Sequence, residues 1–435
     1  MQYPAQVQAC IDLLTVQLQN QSVADRLLYG YFRGRRYIGS KDRAKITELF
    51  YAFMRQRLRI EYYAQQLHIE ACPEHCVAIG LWLEGVQLRE VFTGDKYQPS
   101  KLSHDVLERL NGADLSSIEL PAHVEYNVPS WLVAYFSQNE DSADLSVELG
   151  ALNQEAPVDI RVNTLCATRE EVLDELRSLD IPAEATALSD LGIRFKQRAP
   201  VSNLALFKRG GFEVQDEGSQ LLAAVCGVSV GDKVIDFCAG AGGKTLALAA
   251  AMNNKGTIIA CDVSEPRLKE LSKRAKRAGA FNIRTLLLNH EHDKRLKRHI
   301  KTADVVLIDA PCSGSGAWRR NPDARFNITE DWLTDLTKLQ SLILDSASRL
   351  VKPGGRLVYA TCSMFNVENE NQVTSFLNKN NELYDLLKVD SILENVPSES
   401  QFLKLSPAKS NTDGFFAAVL SRRPDAEDDV TVNRR

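Results

Sequence analysis

From residue 231 onward the chain alternates short apolar runs with amphipathic helical stretches, and this alternation restricts its fold more than any other feature. KVIDF (233–237), GTIIACD (256–262), IRTLLL (283–288), DVVLID (304–309) and GRLVYAT (355–361) read as five strands. Stretches such as EPRLKELSKRAKRAG and TEDWLTDLTKLQSLILDSASRLV lie between them with helical periodicity. Apolar strands separated by helices predict an α/β architecture, a doubly wound, mostly parallel sheet covered on both faces. In such sheets ligands sit at the carboxyl ends of the strands, near the switch in strand order. Candidate functional residues are therefore sought at those ends.

A chain of 435 residues is long for one core, so two or three domains are expected. The first third reads as helices: Val7, Ile11, Leu14 and Leu18 recur at helical spacing, as do Ile46, Leu49, Phe50 and Phe53. Gly34, Gly39 and Ser40 read as a turn and a cap leading into KDRAKITELF. The polar stretch NGADLSSIELPAHVEYNVPSW marks a boundary. Beyond it, PVDIRVNT alternates like a strand, and TREEVLDELRSL reads as a helix capped by Thr168. The expected division is a helical domain at 1–125, a small α+β domain at 126–225, the sheet domain at 226–422 and a disordered tail at 423–435.

Charge and cysteine usage narrow the function. The amino terminus lacks the basic start and apolar segment of a secretory signal, and no apolar run is long enough to span a bilayer. A cytoplasmic protein with no membrane association is expected. Nine cysteines without a CxxC pair argue against a disulfide framework, and Cys72, His75 and Cys76 make only half of a zinc site, so no metal is expected. A net charge of −5 excludes coating nucleic acid by bulk charge, but local patches are what meet phosphates. Residues 31–60 hold nine Lys or Arg against Asp42 and Glu48, interleaved with Tyr31, Phe32, Tyr37 and Tyr51. A solvated helix face explains such a run, and so does contact with RNA.

After the first strand comes CAGAGGKT, Cys238 to Thr245. Its GGKT ending suggests a phosphate-binding P-loop, but that motif needs glycine where Cys238 stands. The dinucleotide fingerprint fails as well, with Thr245 in place of a small residue. What remains is a glycine-lined turn that brings backbone amides to a ligand at a helix start. Asp262, at the end of the second strand, stands where a carboxylate commonly accepts hydrogen bonds from ribose hydroxyls. Loop and acid together suggest a nucleoside cofactor.

The fourth strand ends in Asp309-Ala-Pro-Cys312 and the fifth in Ala360-Thr-Cys362-Ser363. In the common nucleoside-binding variant of this sheet these strands are neighbours ~4.8 Å apart, so Cys312 and Cys362 would converge. A disulfide is disfavoured without CxxC spacing, and zinc ligation by Cys238, Cys261, Cys312 and Cys362 lacks a local chelate. Covalent catalysis fits best. A thiolate adding to carbon 6 of cytosine makes carbon 5 nucleophilic toward a methyl donor. A second group must then remove the carbon-5 proton, and an acid must serve the ring nitrogen. Asp309 stands where it can be that acid. Spacing alone leaves the roles of the two cysteines open.

DAPCSGSG with ATCS and DFCAGAGGKT resembles the RNA cytosine-5 methyltransferases. RVNT at Arg161, VQDEGSQLL at Val214, RRNPD at Arg319 and DGFFAAVL at Asp413 resemble the bacterial ribosomal-RNA branch, Fmu/Sun or RsmB-like. The resemblance implies a Rossmann-like class I methyltransferase core behind an all-α NusB-like RNA-binding domain and a small α+β linker domain. It implies Cys362 as nucleophile and Cys312 as the residue that assists release. Cys238, Ala239, Gly240, Ala241, Gly242, Gly243 and Lys244, with Asp262, Asn289 and Asp309, would line an S-adenosylmethionine site. Gly240-Ala241 replaces the usual Ala-Pro, and Asn289 replaces a frequent aspartate. Arg319 and Arg320 would hold phosphates near an unstacked target base. The implied substrate is RNA, with 16S ribosomal RNA favoured and tRNA or another RNA as alternatives, and the implied enzyme is a monomer. A non-catalytic RNA-binding or ribosome-assembly protein on a vestigial core is the alternative of a different class.

Overall fold

The computed structural model describes residues 1–20, 23–137, 142–197, 199, 201–393 and 401–425. Contacts divide the chain into two units, Met1–Glu155 with Trp318–Ile328, and Ala156–Ala317 with Thr329–Arg435. The expected disorder of the tail lies, from residue 426 on, outside the described residues. Among the described residues no helix is long and apolar enough to cross a membrane.

The first unit is helical, built on Tyr3–Asn20, Ala24–Gly34, Ser40–Gln66 and Pro73–Leu83. The helical repeats seen in the sequence become its core: Val7, Leu14, Ile46, Phe50, Phe53 and Met54 are buried together. Gly39, not Ser40, precedes the third helix, and Ser40 stands in its first turn. The segment Trp318–Ile328 packs into this unit through Arg325, which is wholly buried. Its guanidinium donates to the carbonyls of Asn127 (3.0 Å) and Leu152 (3.2 Å) and to Asn153 Oδ1 (2.6 Å). Asp323 Oδ2 accepts the backbone N–H of Ala24, 3.0 Å away, where the second helix starts. Arg319 is only 3% exposed, and its carbonyl accepts Arg55. The expectation that Arg319 presents to phosphates is thus corrected, because its side chain is buried where a cation cannot reach a solvated phosphate, whereas Arg320 is partly exposed.

The second unit contains two sheets. The small one, antiparallel in order β2-β3-β1-β4, comprises β1 (Val158–Val162), β2 (Ala183–Ala185), β3 (Gly192–Phe195) and β4 (Phe212–Val214). Its helix, Arg169–Ser178, opens with the expected cap: Thr168 accepts Glu171 N–H while Glu171 accepts Thr168 N–H. Such a reciprocal cap contributes about 1 kcal/mol.

The large sheet holds β5 (Lys233–Asp236), β6 (Thr257–Asp262), β7 (Ile283–Leu287), β8 (Ala303–Asp309), β9 (Val351–Thr361), β10 (Tyr384–Leu387), β11 (Leu403–Leu405) and β12 (Phe415–Arg422). Its order is β10-β12-β9-β8-β5-β6-β7, with β11 paired to β12. The five expected strands run parallel from β9 to the edge strand β7, and β12 pairs antiparallel with β9. Apolar side chains fill both faces, with Val234, Ile258, Val305 and Val358 on one and Ile235, Ile259, Val306 and Leu357 on the other. Strand order reverses between β5 and β8, so the ends of β5, β6, β8 and β9 open onto one crevice.

Candidate active site

β5 ends at Asp236, and the glycine turn carries the chain into the helix Gly243–Ala251. Gly242 adopts φ +87°, and a Cβ there would lie 2.5 Å from Leu271 Cγ, so only glycine fits. The turn is held on both sides. Gly240 N–H donates to Asp262 Oδ2 (2.8 Å), and Ser264 N–H donates to Asp262 Oδ1 (2.7 Å). Each oxygen of Asp262 thus keeps a lone pair for a ligand hydroxyl. From the other side, Arg274 donates to the carbonyl of Ala241 and Arg161 to that of Gly243, both at 2.8 Å. Arg161 comes from β1, 82 residues away, and also donates to Gln215. Burial first, and the Arg274 charge beside it, lower its pKa to about 10 against the pull of Glu213, which still leaves it charged.

Beneath the turn, Asp236 is buried. Its Oδ2 accepts Thr245 Oγ1 (2.7 Å), and its Oδ1 has no hydrogen-bond partner among the described residues. Burial pushes its carboxyl up to about 7, against the Thr245 bond. Cys238 packs against the apolar side of the sheet, and burial, with Asp236 beside it, raises its thiol far above the usual range. Asn289 follows β7 with its side chain exposed, and its N–H donates to Asp293 Oδ2 (2.9 Å).

β8 and β9 pair in parallel with Asp309 opposite Ala360, which brings the loops after them together. Cys312 and Cys362 lie with their sulfurs 3.3 Å apart. The loops are stitched by Gly316 N–H, which donates to the carbonyl of Cys362 (3.0 Å). Gly414 N–H in turn donates to the carbonyl of Gly316 (2.9 Å), and a Cβ on Gly316 would lie 2.0 Å from the Gly414 carbonyl oxygen. Asp413 N–H donates to Asp216 Oδ2 (3.2 Å), so DGFF and VQDEG meet behind the cysteines.

Cys312 is pushed well above the usual thiol range, first by its hydrogen bond with Cys362, then by burial. Lys244 donates to Asp309 Oδ2 at 2.7 Å. Burial works against the lysine's charge, but Asp309 and the nearby Cys362 sulfur outweigh it, and its pKa is raised. The crevice thus holds a fixed cation near Cys362 and a protonated thiol donor beside it.

The glycine turn, Asp262, Asp309, Cys312 and Cys362 therefore gather at one end of the sheet, with Asn289 at the edge strand. Five contributors were missed in the sequence. Arg161 and Arg274 reach the glycine turn from outside it, and Ser313 and Ser363 turn inward onto the buried carboxylate of Glu368. RVNT at Arg161 was the available signal for the first. Nothing local marks Glu368. Among the described residues no group of three or more His, Cys, Asp or Glu side chains is arranged to hold a metal ion.

Comparison with known proteins gives consistent matches. Residues 224–421 match the model described as 16S rRNA methyltransferase RsmB/F, and residues 128–202 match the ferredoxin-like domain of RsmF/B-like methyltransferases. The chain is 30% identical over 334 residues to a probable ribosomal RNA small subunit methyltransferase B of Synechocystis sp., covering 74% of each protein. It is 29% identical over 422 residues to ribosomal RNA small subunit methyltransferase B of Serratia proteamaculans, covering 88% of this chain and 91% of that one. The crystal structure of PH0851 superposes with a TM-score of 0.77 at 26% identity, covering 97% of this chain and 99% of that one.

Proposed function

The chain belongs to the RsmB/F family of 16S rRNA methyltransferases, and from that premise we propose that it methylates carbon 5 of a cytosine in small-subunit ribosomal RNA through a covalent cysteine–cytosine intermediate. The methyl donor is S-adenosylmethionine. The residues present suit that cofactor: a carboxylate with free lone pairs at Asp262, a glycine turn open to a ligand, and the part-exposed carboxylate of Asp309, which would face its positive charge. Cys238 to Lys244, Asp262, Asn289 and Asp309 would line it. When bound, the cofactor supplies an electrophilic methyl group.

The chain's own residues supply the rest. Cys362 is the nucleophile: its sulfur, near the Lys244 cation and the Cys312 thiol, bonds to carbon 6 of the ring as its proton passes to Asp309. Asp309 hands that proton to the ring nitrogen while Lys244 keeps its charge, so that carbon 5 becomes an enamine carbon. Once the Cys362 sulfur is bonded to carbon, the interaction that most raises the Cys312 thiol is gone. Cys312 can then ionise, its proton passing to solvent, and take the proton from methylated carbon 5. The carbon–sulfur bond breaks, Cys362 leaves as thiolate, and the ring-nitrogen proton returns to Asp309. The 3.3 Å approach of the two sulfurs is the observation that carries this reading.

Within this reading, residues 1–125 serve as a NusB-like RNA-binding domain, 126–225 as a linker domain that also meets RNA, and 226–422 as the catalytic domain. The enzyme works in the cytoplasm, where it meets ribosomal RNA. The test is a search for RNA trapped on protein in bacterial cells. Cys312→Ala should give a ribonuclease-sensitive adduct on a denaturing gel, while Cys362→Ala should give none and make no 5-methylcytosine. An adduct on Cys362→Ala alone reverses the roles, and no adduct on any form removes the covalent scheme.

A further inference from the structure

Glu368 is wholly buried, and both cysteine-bearing loops donate hydrogen bonds to its carboxylate. Oε1 accepts the backbone N–H of Ser313 (2.8 Å) and the side-chain amide of Gln340 (2.9 Å). Oε2 accepts the hydroxyls of both Ser313 and Ser363. Ser313 directly follows Cys312, and Ser363 directly follows Cys362. Gln340 also donates to the carbonyl of Pro311 (2.9 Å), the residue before Cys312. Glu368 is itself held in place, because Tyr359 in β9 donates its hydroxyl to the Glu368 carbonyl (2.7 Å).

None of these partners is a cation. A carboxylate only accepts hydrogen bonds, and here it has four donors, enough to satisfy both oxygens. A neutral amide of similar shape has one acceptor oxygen and brings two donors of its own, so it cannot hold the same four groups. Separation of the sulfurs depends on the residues beside them, and reacting groups misplaced by about 1 Å can lose ~10²-fold in rate.

We infer that Glu368 is a positioning residue of this active site, a buried carboxylate that sets the spacing of Cys312 and Cys362 by holding the serine after each. Its consequence for turnover rests on the covalent reading above; its geometric content does not. The test uses the full chain as wild type, Glu368→Gln and Glu368→Asp, each first shown to be folded by thermal melting. One readout is the rate at which diamide couples the two cysteines. Two thiols lose two protons and two electrons to form one disulfide, and the azo group of diamide is reduced to a hydrazine. The other readout is kcat and KM on RNA, with S-adenosylmethionine affinity measured separately. Glu368→Gln should slow coupling about tenfold and lower kcat about 10²-fold. KM and cofactor affinity should stay within about twofold, and Glu368→Asp should recover part of both rates. Wild-type coupling in Glu368→Gln overturns the inference, as does equal loss in both variants accompanied by loss of cofactor affinity. Should Glu368→Gln not fold, Ser313→Ala and Ser363→Ala each remove one hydroxyl donor to Glu368 Oε2 and should each slow coupling; unchanged coupling in both overturns the inference. If the wild type makes no 5-methylcytosine, the covalent reading fails while the coupling rates still decide the role of Glu368.

Discussion

Cys312 and Cys362 stand 50 residues apart in the chain, with their sulfurs 3.3 Å apart in the fold. The approach follows from strand order: β8 and β9 are parallel neighbours, so the loops that leave their carboxyl ends face one another. The proposed division of roles, one sulfur as nucleophile and the other as the group that aids release, needs two thiols this close.

The same proximity makes the site oxidisable. Diamide should couple Cys312 to Cys362 in the wild type, seen as a loss of two hydrogens in the peptide mass, and methylation should stop until reductant is added. Cys312→Ala should show no such coupling. Failure of the wild type to couple would mean the two sulfurs do not meet in solution.

Lys244 and Asp309 form an ion pair in which the lysine is 10% and the aspartate 33% exposed. Lys244→Met removes the cation near Cys362 and leaves Asp309 without its partner. Single-turnover methylation should fall about 10²-fold, the scale seen when one fixed stabilising group is removed. A rate within about twofold of wild type would show that the pair takes no part in the chemistry.

Arg161 is a structural extension of the glycine turn. Arg161→Met should leave the cysteines in place yet free the Gly243 carbonyl and Gln215. A hydrogen bond from a charged donor is worth about 1.5–3 kcal/mol, so S-adenosylmethionine affinity should weaken about tenfold or more by calorimetry. Unchanged affinity would show that the small sheet does not support the turn.

Asp236 gives the protein a pH-dependent stability. Its folded pKa of about 7 lies above the ordinary 3.8, so the folded state holds the proton more tightly than the unfolded chain. Its contribution to stability is full below the unfolded pKa and is lost as pH rises through about 7. Asp236→Asn, which cannot ionise, should therefore gain stability relative to wild type between pH 5 and pH 8 in urea unfolding. A pH-independent difference would mean that Asp236 ionises normally.

Much of the sheet unit was legible in the sequence because the signals are local. Apolar runs, the Thr168 cap and the glycine turn each depend on residues within a few positions of one another, and β5 to β9 appear where those runs lie. DAPC and ATCS could be placed at strand ends for the same reason. The chain could not by itself show that Arg319 is buried, that Trp318–Ile328 joins the helical unit, or that Arg161 supports a turn 82 residues on. Nor could it single out Glu368, one of many glutamates until folding removes water from it and turns two serines toward it. Periodicity and turn chemistry are written in neighbouring residues, so the sequence determined the elements and the chemistry available at their ends. Which side chains share a buried hydrogen bond depends on strand order and on contacts across tens of residues, so only the tertiary structure decided the partners.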